Sequence, residues 1–150
     1  MYMFVLFAHS IFRWLVLIAG IVTVAMSFVG WFSKSDWTRT NEKMGMAYVS
    51  LIDMNVLLGL LLYIFLSPIT KAVFANFGAA MGDNTLRFFA VEHIFGMIVA
   101  LAAAHVGRVL TKKATEPLKK HRTVAIWYTL SLLIILAMIP WDRPLLRGLF

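Results

Sequence analysis

The chain lacks cysteine altogether. Charge is scarce as well: 14% of its 150 residues are Asp, Glu, Lys or Arg, and only seven are acidic. Without cysteine there is no disulfide framework, no cysteine zinc site and no iron–sulfur cluster with cysteine ligands. A soluble domain carries about 25% charged and about 45–50% apolar residues. Here 61% are hydrophobic and the mean hydropathy is +0.84. A chain this small has too little interior to hide so much apolar surface from water, and so apolar a chain collapses rather than staying disordered. The composition predicts an integral membrane protein whose main partner is the lipid bilayer.

Four apolar runs are long enough for a helix to cross a hydrocarbon core, which takes about 20 residues. They cover about 4–31, 46–66, 86–110 and 124–140. Turn signals separate them: Ser67-Pro68, Gly78, Met81 to Thr85, and the polar stretch from Thr111 to Arg122. Asn84 or Thr85 suits the N-cap of the third helix, and Ile139-Pro140-Trp141 suits an interfacial stop for the fourth. The first run lacks a basic leader and is too long for a signal peptide, so it reads as a span. With no internal repeat, residues 1–150 read as one all-α domain, a four-helix transmembrane bundle.

Basic residues divide unevenly between the two sides. Nine fall on one: Lys34, Arg39, Lys43, Arg108, Lys112, Lys113, Lys119, Lys120 and Arg122. Four fall on the other: Lys71, Arg87, Arg143 and Arg147. The richer side is expected to be cytoplasmic, which puts both termini on the outer, periplasmic side. The net charge of +7 is then largely a topology signal. Nucleic acid is not an expected partner, because these charges sit in short loops around membrane spans.

Polar residues inside the runs are the informative ones, since an ionisable group at membrane depth is costly and usually faces a bundle interior. They are His9 and Arg13 in the first helix, Asp53 and Asn55 in the second, and Glu92, His93 and His105 in the third. His9 lies about five residues into its helix and His93 about seven into a helix of the same direction, so at about 1.5 Å per residue their depths nearly coincide. Two imidazoles at one level on facing helices can hold a flat macrocycle from both sides, as bis-histidine haem ligation requires. Small residues continue the two stripes: Gly20 beyond His9, and Gly96 beyond His93. They leave room for a porphyrin edge, or else allow close helix approach. Arg13 or Arg87 could meet a haem propionate, and Arg13 could equally pair with Glu92. Asp53 could fix a histidine tautomer or relay protons. His105 lies about 18 Å deeper than His93, near the level of His121, so these two form a less secure second haem pair. A quinone head group near His105 is the other reading, and a solvated His121 in its basic loop the bland one.

Several segments together carry a family resemblance: His9-Ser-Ile-Phe-Arg13-Trp14, Asp53-Met-Asn-Val-Leu-Leu-Gly59-Leu-Leu-Leu-Tyr63, Arg87-Phe-Phe-Ala-Val-Glu92-His93, Ala104-His105-Val-Gly107-Arg108 and Ile139-Pro140-Trp141. In this order they resemble small bacterial four-helix membrane proteins labelled cytochrome b or cytochrome b-like. The resemblance spans nearly the whole chain and implies a bacterial inner membrane and a b-type haem.

The leading expectation is a haem b-binding membrane subunit for electron transfer, with one haem or two, exchanging electrons with a quinone inside a larger complex of membrane or redox subunits. It reads as an electron-transfer subunit more than as a stand-alone enzyme. The alternative is a non-redox structural or assembly subunit, in which the buried polar groups specify helix packing. A small transporter using Asp53 and Glu92 fits less well, because the spans are neither broken nor repeated.

Overall fold

The computed structural model describes residues 1–141. Helix α1 covers Tyr2–Ser33 and α2 Arg39–Leu61, the latter running on into a π-helical turn at Leu62–Leu66. Three short helices follow: α3 (Pro68–Ala75), α4 (Phe77–Ala80) and α5 (Asn84–Arg87). A second π-helical turn, Phe88–Glu92, leads into α6 (His93–Lys113), and α7 covers Pro117–Met138. Among the described residues there is no strand. Four helical stretches are long and apolar enough to cross a membrane: Tyr2–Ser33, Arg39–Leu66, Asn84–Lys113 and Pro117–Met138. The chain is a multi-pass membrane protein.

The helices outrun the apolar sequence at one end because their caps lie in polar segments. Thr38 and Asn41 form a reciprocal capping box that starts α2 seven residues before its apolar run. Pro117 occupies the first turn of α7, where a missing N–H costs nothing. The stretch Pro117–Thr123, read from sequence as loop, is therefore helical, and His121 is buried rather than solvated. The cap of α5 is Asp83, whose Oδ1 accepts from Leu86 N at 2.8 Å; neither Asn84 nor Thr85 takes that role. Helix α7 ends at Met138, just ahead of Pro140, and the Trp141 indole donates back to the Leu136 carbonyl.

Neighbouring helices in the bundle are α1 and α2, α2 and α6, α6 and α7, and α7 and α1, so α1 faces α6 and α2 faces α7 across the diagonals. The α2–α7 diagonal fills the centre. Tyr48 and Tyr128 are fully buried with ring centroids 5.0 Å apart, packed among Val16, Leu17, Ala100 and Ala104. Gly20 admits the Tyr48 ring, which would stand only 2.7 Å from a Cβ at that position. The Tyr48 hydroxyl donates to Ser131 Oγ at 3.1 Å, and Ser131 donates to the Ala100 carbonyl at 2.8 Å. This chain ties three helices in a place that water does not reach. Ser131→Ala strands the Tyr48 hydroxyl and should cost about 1–3 kcal/mol, whereas adding Tyr48→Phe removes the stranded group and should recover much of it. Denaturant unfolding of the three variants in detergent micelles measures both effects.

Candidate functional site

One end of the bundle carries Met1 and the short helices α3–α5; the other carries the 34–38 and 114–116 connections. The capped end holds the histidine pair. His9 stands in the third turn of α1 and His93 is the first residue of α6, directly after a π-helical turn. Their ring centroids are 6.5 Å apart with planes inclined at 72°. The structure brings these two residues together across the α1–α6 diagonal.

Each ring is anchored by main chain. His9 Nδ1 donates to the Asn55 carbonyl at 3.1 Å, and His93 Nδ1 donates to the Met138 carbonyl at 2.8 Å. The second acceptor exists because α7 stops there, leaving a terminal carbonyl without a partner in its own helix. A carbonyl only accepts, so the proton of each neutral imidazole sits on Nδ1 and the lone pair on Nε2. Metal-ligating histidines are oriented in this way. Gly59 lets α2 close on the first ring: a Cβ there would lie 3.3 Å from His9 Cε1.

The two rings stand 6.5 Å apart, centre to centre, and border one cavity, so a group seated there would meet both. Among the described residues no group of three or more His, Asp or Glu side chains converges. A group held by these two imidazoles would have to bring its remaining donors with it.

A cavity of about 160 Å³ lies beside the pair, lined largely by apolar side chains and by Ser10, Arg13 and Asn55. Asn55 Oδ1 is buried there without a hydrogen-bond partner. Arg13 sits one turn from His9, with its guanidinium 5.8 Å from the Trp14 ring centre. Ile98, half exposed, lines the cavity and marks where it reaches the helix surface. Pockets that enclose a drug-sized ligand measure about 300–1,000 Å³. The two imidazoles and the apolar lining fit a prosthetic group that the cavity would enclose only in part.

The remaining candidate residues lie elsewhere. Gly20 faces Tyr48 and Leu132, and Gly96 faces the Met138 side chain, so both serve helix approach. Arg87 pairs with Glu92 at 2.9 Å on the exposed flank, and that pairing takes the place of an Arg13–Glu92 contact. His105 and His121 turn to different neighbours. His105 Nε2 is 2.8 Å from Asp53 Oδ1 between α6 and α2. His121 packs edge-on against Trp37 and Gly30, with Nε2 donating to the Asp36 carbonyl at 3.3 Å. The two rings do not form a second pair here.

Sequence reasoning missed the two anchoring carbonyls and the paired π-helical turns, which the Tyr63 hydroxyl joins by donating to the Ala90 carbonyl at 2.8 Å. Such turns recur at functional sites. Fold and site together define a multi-pass four-helix membrane protein with two main-chain-anchored imidazoles beside an apolar cleft. Comparison with protein-family models, curated proteins and solved structures brings up no match.

Proposed function

We propose that the protein is a haem b-binding subunit for electron transfer in a bacterial inner membrane, with His9 and His93 as the axial ligands. The observation that carries this reading is the paired geometry: two rings 6.5 Å apart, each with Nδ1 tied to a carbonyl. The sequence resemblance to cytochrome b-like membrane proteins, which runs through His9 and His93 themselves, accords with it. When bound, the haem would supply reversible one-electron chemistry. The chain's own part is to fix both imidazole tautomers, surround the site with apolar side chains and offer Arg13 to an anionic substituent. An apolar cleft reaching the helix surface is accessible to a lipid-soluble redox partner such as a quinone, and the absence of a soluble domain in the described residues leaves other transfers to partner subunits.

The absorption spectrum of purified protein from haem-replete cells, oxidised and then dithionite-reduced, tests the reading. A reduced b-type α-band is expected. A colourless preparation would leave the histidines as interhelical ties, which is the structural-subunit reading. Replacing His121 with alanine should leave the haem-to-protein ratio unchanged, because His121 is engaged with Asp36 and Trp37; a ratio cut by about half would restore a second site.

Orientation follows from the nine-to-four division of basic residues, of which Arg143 and Arg147 lie outside the described residues. We place both termini in the periplasm. A reporter fused after Phe150 should be active outside the cytoplasm, and one inserted near Ala114 inside. The reverse pattern would exchange the two faces of the bundle.

A further inference from the structure

Helix α2 is the least enclosed of the four spans. Only 17% of its most apolar stretch is buried, against 33–39% for the other three. On its outer side, where it meets α6, Asp53 and His105 form their hydrogen bond with side chains 42% and 49% exposed. Both residues lie inside membrane-crossing stretches. Asp53's other oxygen and His105 Nδ1 have no hydrogen-bond partner among the described residues. Hydrocarbon offers neither a donor nor an acceptor, so lipid alone is a poor cover for this surface.

We propose that a second copy of this chain covers it, with the α2–α6 face packed on its own counterpart about a two-fold axis. The chemistry of the pair selects that partner. The same two groups already hydrogen-bond within one copy, and each keeps one polar atom facing outward, so the surface is complementary to itself. A two-fold rotation sets each histidine against the other copy's aspartate. Such isologous contacts are the commonest way for a homodimer to close. The flanking residues allow the approach. At helical spacing from Asp53 and His105 stand Ser50 and Ala102, both small and exposed, with Leu57 and Val109 one turn further along. Small residues let backbones come close in membranes, and interhelical hydrogen bonds then add to packing. The dimer stands whether or not His9 and His93 hold haem.

The natural absence of cysteine makes the test direct. Single cysteines are placed at Ser50, Leu57, Ala102 and Val109, and a control at Leu133, 58% exposed on α7. Mild oxidation of native membranes should join two chains at one or more of the four face positions, and several-fold less at the control. Adding Asp53→Leu and His105→Leu to the best-linking variant should lower the yield about tenfold, the size expected for one or two interhelical hydrogen bonds. Leucine on this surface suits lipid, so the bundle itself should still fold, as its helical content and unfolding midpoint would report. The proposal is overturned if no face position links better than Leu133→Cys, if the product joins a protein of another mass, or if the leucine pair leaves the yield unchanged in a folded protein. Energy transfer between labelled copies diluted with lipid gives the same comparison without cross-linking.

Discussion

In the proposed haem site, His9→Gln and His93→Gln should each abolish a low-spin haem spectrum, and the double variant should be no worse than either single one. Two side chains that would hold one group act as a unit, so their effects are not additive. Glutamine keeps bulk and can still donate a hydrogen bond, so the anchors at the Asn55 and Met138 carbonyls are partly retained. Loss of such a bond costs about 1 kcal/mol, which a bundle with this core should survive. A folded, monodisperse but haem-free double variant is the expected result. If that variant still bound low-spin haem at full occupancy, the ligands would have to be sought elsewhere, His105 and His121 first.

The second large effect should come from Gly30→Ala, at the far end of the bundle. A Cβ on Gly30 would collide with Cε1, Nδ1 and Nε2 of the His121 ring. That ring is 1% exposed and is held by Trp37 and the Asp36 carbonyl, so it has nowhere to retreat. Overpacking of this kind costs about 1–3 kcal/mol. His121→Ala should be destabilising alone, by about 2–4 kcal/mol, through the cavity that it opens between α7 and α1. The two together should cost less than their sum, because the new methyl enters the space the imidazole leaves. Unfolding midpoints in micelles separate a shared packing site from two independent ones, which would give additive losses.

The spans were legible in the sequence because hydrocarbon imposes a minimum apolar length, and four runs meet it. Their polar extensions were less so. Nothing apolar marks Pro117–Thr123 as helix; the marks are Glu116-Pro117 and, for α2, the Thr38–Asn41 box, short signals that a hydropathy reading passes over. Missing the first turns of α7 is what made His121 look solvated, since a residue in a loop and one in a helix face different neighbours. The nearness of His9 and His93 was readable because depth along a helix is arithmetic. Azimuth was harder. Gly20 and Gly96 share a stripe with the histidines on paper, yet Tyr48 and Met138 occupy the space beside them, because which side chain fills a gap is decided by the opposite helix. The carbonyls that orient both imidazoles leave no trace in side-chain pattern at all.

The two π-helical turns have a consequence for how the protein tolerates change. Each holds its helix open by about one residue beyond the ordinary repeat, and one residue amounts to about 100° of rotation and about 1.5 Å of advance. Deleting a single residue from Phe88–Glu92 would let the helix regain its usual winding with Arg87 and His93 still in phase, because the turn holds the surplus residue. The loss would be local, at the Ala90 carbonyl that accepts from Tyr63. A one-residue deletion in the regular winding of α6 has no such reserve and would turn everything on one side of it by that angle.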